Sequence, residues 1–198
     1  VETVSGLCAG SDATVFGPGV GTKPQSAGSL KTIMESDRPV VVDADGLRFL
    51  SAHPEWANRD AHTLVTPHPG EMRRLLDGFG LEALQNKPRA EQAVGLAKKA
   101  NMHVILKGRG TIVASPEGRH AVNTSGTFAL ASAGTGDILA GLVGGLLAQG
   151  VPPWDAAIHA VFLHGLAAEL TTHGQRSLVA DDMLDLIGPA IKKLSPFA

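Results

Sequence analysis

The chain predicts an α/β fold, a three-layer α/β/α sandwich built on a mostly parallel sheet with an antiparallel edge. Three observations lead there. Short apolar runs alternate with segments of helical character that are long enough for crossover connections. Four of those runs end in polar or glycine-rich clusters, as buried parallel strands do at a binding rim. Two later runs are separated only by Ser115-Pro116-Glu117-Gly118, a turn signature that leaves no room for a crossover.

The elements follow in chain order. The first residues read as an approach to a strand, and Ala13–Phe16, Pro39–Val42 and Thr63–Val65 are the first three strands. Lys23–Ser36 and Leu47–Ala52 are the helices between them, and a further helix starts near Pro69. Leu81–Ala100 reads as one long surface helix with Lys and Glu on its outer side, leading into a buried strand at Val104–Leu106. Thr111–Ala114 and Arg119–Val122 form the antiparallel meander. Three helices close the chain: Asp137–Gln149, Pro153–Thr172 and Ala180–Leu194. Pro152-Pro153 and Asp181-Asp182 supply suitable start signals for the last two. There is no repeat, low-complexity tract or linker, so residues 1–198 are expected to form a single domain.

Bulk properties exclude several classes of function. With 198 residues, 43% of them hydrophobic, the chain can bury a sizeable core. A formal net charge of -2 draws it neither to nucleic acid nor to acidic lipid. One cysteine, Cys8, excludes an internal disulfide and fits a reducing compartment. No apolar run approaches the ~20 residues of a membrane span, and Val1-Glu2-Thr3-Val4 lacks the flank of a signal peptide. The cytoplasm is therefore the expected location.

Chemistry concentrates at the strand ends. These carry Gly17-Pro18-Gly19-Val20-Gly21, Asp43-Ala44-Asp45, Thr66-Pro67-His68-Pro69-Gly70-Glu71 and Lys107-Gly108-Arg109-Gly110-Thr111. Further on, Gly134-Thr135-Gly136-Asp137 feeds into eleven residues, Ile138 to Ala148, without a charged or polar side chain. A glycine turn that opens a helix presents unpaired N–H groups at the positive end of the helix dipole, which is a site for phosphate. Asp137 admits two readings: a cap on an apolar core helix, or a carboxylate that abstracts a proton or positions magnesium beside that phosphate.

Taken together these motifs, with Asn123 through Gly126, His164-Gly165 and Asp181-Asp182, resemble the ribokinase-like superfamily and, within it, the NAD(P)H-hydrate dehydratases. The likeness extends over essentially all 198 residues. His68 discriminates, because vitamin kinases of the same fold typically carry asparagine there. The sequence departs from the family pattern at Gly46, Phe128, Ala129 and Ala133, all beside substrate or nucleotide loops, and the family's glycine-rich amino-terminal segment is expected to be missing.

The resemblance implies a ribokinase-like sandwich and a nucleotide-dependent dehydration of hydrated NADH or NADPH. The hydrate hydroxyl is phosphorylated by ADP or ATP, and loss of that phosphate restores the reduced cofactor. It implies Asp137 as catalytic base, Gly21, His68 and Asp137 as substrate contacts, and Lys107, Gly108, Arg109, Gly110, Thr111, Gly134, Thr135 and Gly136 as nucleotide contacts. The helix dipole supplies only ~0.3 to 2 kcal/mol toward an anion, too little for a polyphosphate, so Mg2+ is expected. Asp43 and Asp45 are candidates to hold it through water; Asp43 is equally placed to anchor the Gly17–Gly21 loop. The resemblance also implies a homo-oligomer, a tetramer or larger, and a functional pairing with an NAD(P)H-hydrate epimerase. Two alternatives stay open: a small-molecule kinase of the same fold, and a nucleotide-binding module without turnover.

The remaining histidines carry no metal spacing. His159 and His164 are five apart on a helix, which turns them away from a common face. Both, with His53, His62, His103, His120 and His173, read as structural or solvent-facing. Gly141, Gly144 and Gly145 interrupt an apolar helix at about 1 kcal/mol each relative to alanine, which points to close backbone packing.

Overall fold

A computed structural model describes residues 2–171 and 178–194. Its six strands are β1 (Thr14–Phe16), β2 (Val40–Val42), β3 (Thr63–Val65), β4 (His103–Leu106), β5 (Ile112–Ala114) and β6 (His120–Val122). They lie side by side in chain order. Pairing is parallel from β1 to β4, with Val15 opposite Val41 and Val41 opposite Leu64, and antiparallel from β4 to β6. All six strands fall where the sequence places them, and so does the switch from parallel to antiparallel pairing.

Alternation along the strands assigns the layers. Val40, Val42, Val65, Val104 and Leu106 face one side, where they pack with α1 (Glu2–Ala9), α2 (Pro24–Met34), α3 (Asp45–Ala52), α4 (Pro69–Gly78) and α5 (Arg89–Ala100). Val41, Leu64, Ile105 and Val113 face the other side, covered by α6 (Thr135–Ala148) and α7 (Pro153–Glu169). The three valines of β2 are fully buried. At about 1.5 to 3 kcal/mol for each such side chain, this central strand is the firmest part of the sheet. A smaller cluster of Ala129, Leu166, Ala167, Leu178 and Met183 holds α8 (Ala180–Leu194) against α7.

Several expectations need correction. The amino-terminal residues form α1 and not a strand approach: Val4 and Cys8, one turn apart, share a face that packs into the core. The long helix expected over Leu81–Ala100 is two elements, a single 3-10 turn at Glu82–Leu84 and then α5. Pro88 causes the break, because the residue before a proline is pushed out of the helical region while proline itself suits a helix start. α7 stops at Glu169, and Thr172 and His173 lie outside the described residues. Of Gly141, Gly144 and Gly145 in the apolar stretch of α6, only Gly144 is needed for close approach, since a Cβ there would collide with Val15. Gly141 and Gly145 face open space among the described residues, so packing within this chain does not explain them.

Candidate functional site

The parallel strands bring four loops to one rim. Gly17 follows β1 at φ +130°, and a Cβ there would strike the Asp43 carbonyl, so only glycine fits. Gly21, at φ +69°, donates its N–H to Asp45 Oδ2 at 3.1 Å. The loop after β1 is thus anchored by the Asp45 carboxylate, while the Asp43 carboxylate is free for another partner. Between these acids Ala44 sits at φ 48° and ψ -123°, a region alanine enters only under strain of about 1 to 3 kcal/mol.

That partner is Lys107. Its ammonium donates to Asp43 Oδ1 at 2.7 Å, and Asp43 is only 1% exposed. Glu71 Oε2 lies 3.9 Å from the same ammonium. Two carboxylates therefore share one lysine, and a buried carboxylate needs such a partner. Lys107, expected to meet phosphate, has this second duty in the protein itself. α6 begins directly over the pair: a Cβ on Gly136 would lie 3.3 Å from Lys107 Nζ and 3.8 Å from Asp43 Oδ2.

At the start of α6 the backbone turns free donors outward. Gly134 is the N-cap at φ 84°, a left-handed conformation that glycine adopts freely. The N–H groups of Gly134 and Gly136 have no acceptor among the described residues, and that of Thr135 makes only a long bond of 3.5 Å to Ser132 O. The Thr135 hydroxyl is buried and turned inward, 2.8 Å from Leu130 O and 2.9 Å from Ser132 O. Its contribution to a ligand is confined to its backbone. Asp137 is exposed at this turn, and its carboxylate has no hydrogen-bond or ion-pair partner among the described residues.

His68 is both a cap and a candidate contact. Its Nδ1 accepts from Gly70 N at 2.9 Å and Glu71 N at 3.3 Å, and Glu71 Oε2 accepts from His68 N at 2.7 Å, which completes a capping box. With Nδ1 accepting, a neutral ring carries its proton on Nε2, which lies 3.6 Å from Glu71 Oε1 on a half-exposed side chain.

The loop after β4 carries Gly108, Arg109, Gly110 and Thr111. Arg109 is exposed, and the Thr111 hydroxyl donates to Gly108 O at 3.0 Å. Arg89, the first residue of α5, reaches into this loop and donates to the carbonyls of Leu106, Lys107, Arg109 and Gly110 at 2.7 to 3.3 Å. Sequence reasoning missed Arg89, which reads as an ordinary charged residue on an outer helix face.

Two supports come from α7. His164 is buried and its Nε2 lies 2.7 Å from Thr135 O, tying α7 to the glycine turn. Burial holds its pKa below the usual histidine value, against the opposing hydrogen bond to Thr135, with Lys107 adding to the depression. The ring is therefore neutral and Nε2 is the donor. The Asn123–Gly126 loop is pinned by Asn123 Nδ2 to Val161 O at 3.3 Å, Ser125 Oγ to Phe162 O at 3.0 Å, and Gly126 N to Glu169 Oε1 at 2.6 Å.

Two hollows of about 670 and 590 Å³ open near Arg59, at the amino ends of the strands. Neither is lined by a rim residue. The rim is an open shelf of backbone donors and carboxylates. Among the described residues no three His, Cys, Asp or Glu side chains gather as a metal site, and no helix is long and apolar enough to cross a membrane.

The chain is similar to several known proteins. A protein of Salinibacter ruber named as a bifunctional NAD(P)H-hydrate repair enzyme is 44% identical over 182 residues, covering 89% of this chain and 33% of its own length. The chain thus spans about a third of that relative. The crystal structure of an ADP/ATP-dependent NAD(P)H-hydrate dehydratase from Bacillus subtilis, co-crystallised with ATP and Mg2+ and soaked with CoA, superimposes with a TM-score of 0.82 at 32% identity. The match covers 96% of this chain and 72% of that one. A ribokinase-like superfamily protein from Enterococcus faecalis gives a TM-score of 0.78 at 24% identity over 96% of this chain and 66% of its own, a likeness of fold alone. The expected ribokinase-like architecture is therefore the observed one. The family model described as NAD(P)H-hydrate dehydratase matches residues 6–188, and the chain belongs to that family.

Proposed function

We propose that this chain dehydrates hydrated NADH and NADPH at the expense of a nucleotide, ADP or ATP. The observation that carries the reading is Asp137: an exposed carboxylate at a helix start, unpartnered among the described residues, beside Gly134 and Gly136 N–H groups that lack acceptors there. In this reading Asp137 takes the proton of the hydrate hydroxyl, whose oxygen bonds to the terminal phosphorus as the bond to the remaining nucleotide breaks. The N–H groups of Gly134, Thr135 and Gly136 hold the charge that develops on the moving phosphoryl group. The phosphate then leaves with its bonding electron pair, the substrate gives up a proton, and the reduced nicotinamide ring is restored. Hydroxide is a poor leaving group near neutral pH and phosphate a good one, which gives the nucleotide its purpose.

Gly21 and His68 contact the hydrate in this scheme, and Lys107 to Thr111 contact the nucleotide. Magnesium fits the donors at the rim. Thr66 Oγ1 is buried without a hydrogen-bond partner among the described residues, and Asp43 and Asp45 stand at the same rim, so oxygen donors of the kind magnesium takes are present. Asp43, Asp45 and Thr66 would hold it, through water where they do not reach. The ion would neutralise nucleotide charge.

The reading extends to a single domain that acts in the cytoplasm on small molecules, pairs functionally with an NAD(P)H-hydrate epimerase, and assembles as a homo-oligomer, a tetramer or larger. Leu184, Ile191 and Leu194 are exposed on α8, an apolar stripe that sequence reading did not find. Multi-angle light scattering is expected to return a multiple of the 20.4 kDa chain mass, and a monomer at micromolar concentration overturns the assembly.

The test of function is recovery of reduced-nicotinamide absorbance from hydrated NADPH with magnesium and ADP. Asp137→Asn should lower turnover about 10² to 10⁴-fold while ADP still binds. Equal activity of variant and parent removes Asp137 from the mechanism. A stable phosphorylated product without recovery of absorbance identifies a kinase instead.

A further inference from the structure

The segment from Leu106 to Thr111 has an unusual polarity. All five carbonyls from Leu106 to Gly110 are taken inside the protein: four by the Arg89 guanidinium, and that of Gly108 by the Thr111 hydroxyl. The N–H groups of Gly108, Arg109, Gly110 and Thr111 have no acceptor among the described residues. The chain contains no cis peptide among the described residues, and in a trans peptide the N–H points away from the carbonyl it follows. A guanidinium that draws carbonyls to one side thereby turns donors to the other. Gly108 at φ +140° and Gly110 at φ +63° supply the backbone freedom this reversal needs.

We propose that Arg89 is a positioning residue for the nucleotide: by gathering the carbonyls of residues 106–110 it makes the Gly108–Thr111 loop an anion receptor for the phosphates. The inference rests on the functional reading only in assigning a nucleotide to this loop. Arg89 commits Nη1 and Nη2 to the backbone and touches no reacting atom, and its Nε is buried without a hydrogen-bond partner among the described residues. Lysine is no substitute, because one ammonium has three donors and no planar fork to span four carbonyls. Lys107, which leads into this loop, holds its ammonium against Gly136 of the other turn, so the open row of N–H groups gives the polyphosphate a second backbone cradle on the same rim.

The test compares the parent with Arg89→Lys and Arg89→Met by calorimetric titration of ADP and of inorganic pyrophosphate, and by steady-state kinetics. Both variants are expected to bind ADP and pyrophosphate at least tenfold more weakly. KM for ADP should rise to match, with KM for the hydrate within twofold of the parent. Adding guanidinium ion at millimolar concentration to an Arg89→Ala variant should recover part of the ADP affinity, whereas methylammonium should not. ADP affinity within twofold of the parent in Arg89→Lys overturns the proposal. So does an equal loss for ADP and hydrate, which marks a purely structural residue. Should Arg89→Met fail to fold, Arg89→Lys carries the same expectation alone. A parent that binds ADP yet leaves the hydrate untouched defeats the functional reading and not this one; a parent that binds neither ADP nor ATP defeats this one.

Discussion

Removing the Lys107 ammonium is the sharpest probe of how the rim is held together. In Lys107→Met the Asp43 carboxylate, 1% exposed, loses the cation 2.7 Å away and keeps only the α6 helix start beside it. Coulomb attraction at that distance is ~6 kcal/mol for an effective dielectric of 20, of which desolvation of both ions takes back a part. Removing one partner of a buried pair costs about 3 to 5 kcal/mol, because the remaining charge stays buried. Lys107 is 21% exposed, so the lower end of that range applies, and the expected loss is about 3 kcal/mol. For a chain of this size it corresponds to a fall in Tm of roughly 6 to 12 °C. Asp43→Asn should cost less, since its amide still accepts a hydrogen bond, and the double variant should lose at least 1 kcal/mol less than the sum of the singles. The assay is urea unfolding followed by circular dichroism, without nucleotide. Additive losses, or a Lys107→Met loss below about 1 kcal/mol, refute the pairing as the element that holds the rim.

Three further outcomes follow from other parts of the molecule. Burial holds the His103 pKa down to about 4 from 6.5, while Glu117 opposes the shift and His62 and Arg119 add to it. The unfolded chain therefore binds a proton that the folded one refuses, and stability should fall as pH drops from 6.5 towards 4, by up to about 3 kcal/mol before solvent screening. Urea midpoints across that range should show the slope, and His103→Gln should flatten it; equal slopes in parent and variant reject the assignment. Gly165→Ala should destabilise by about 3 kcal/mol or more, because a Cβ there meets Ser125 and Gly126 backbone, while Gly28→Ala in α2 faces open space and should stabilise by about 0.5 to 1 kcal/mol. Thermal unfolding of the two variants reads both signs, and a tolerated Gly165→Ala contradicts the close approach of loop and helix.

The rim was legible because its residues interrupt a pattern: apolar strands that end abruptly in glycine, acid or lysine. Those interruptions are local, and so were the turn at Ser115–Gly118 and the glycine start of α6. What escaped was long-range. Asp43 and Lys107 are 64 residues apart, and neither spacing nor type ties one to the other until β2 and β4 are placed in the same sheet. Arg89 was hidden in the same way, since its partners are backbone carbonyls, which every sequence contains. The split of the expected helix at Pro88 was readable, because the physics of the residue before a proline is local; helical periodicity over Leu81–Ala100 outweighed it. His68 shows a different limit, for the sequence offers capping and ligand contact as alternatives while the folded side chain is committed at Nδ1 to the cap and holds Nε2 3.6 Å from Glu71 Oε1 on a half-exposed ring.

Strands that neighbour one another along the chain also neighbour one another in the sheet. During synthesis each new strand meets a partner already made, so the sheet can grow by addition at one edge with short loop closures. Its second face is different. Val41, Leu64, Ile105 and Val113 stay bare until residues beyond Thr135 emerge to cover them. A nascent or truncated chain ending before α6 would carry a six-stranded sheet with a naked greasy side, which makes that interval of translation the moment of greatest need for chaperone protection.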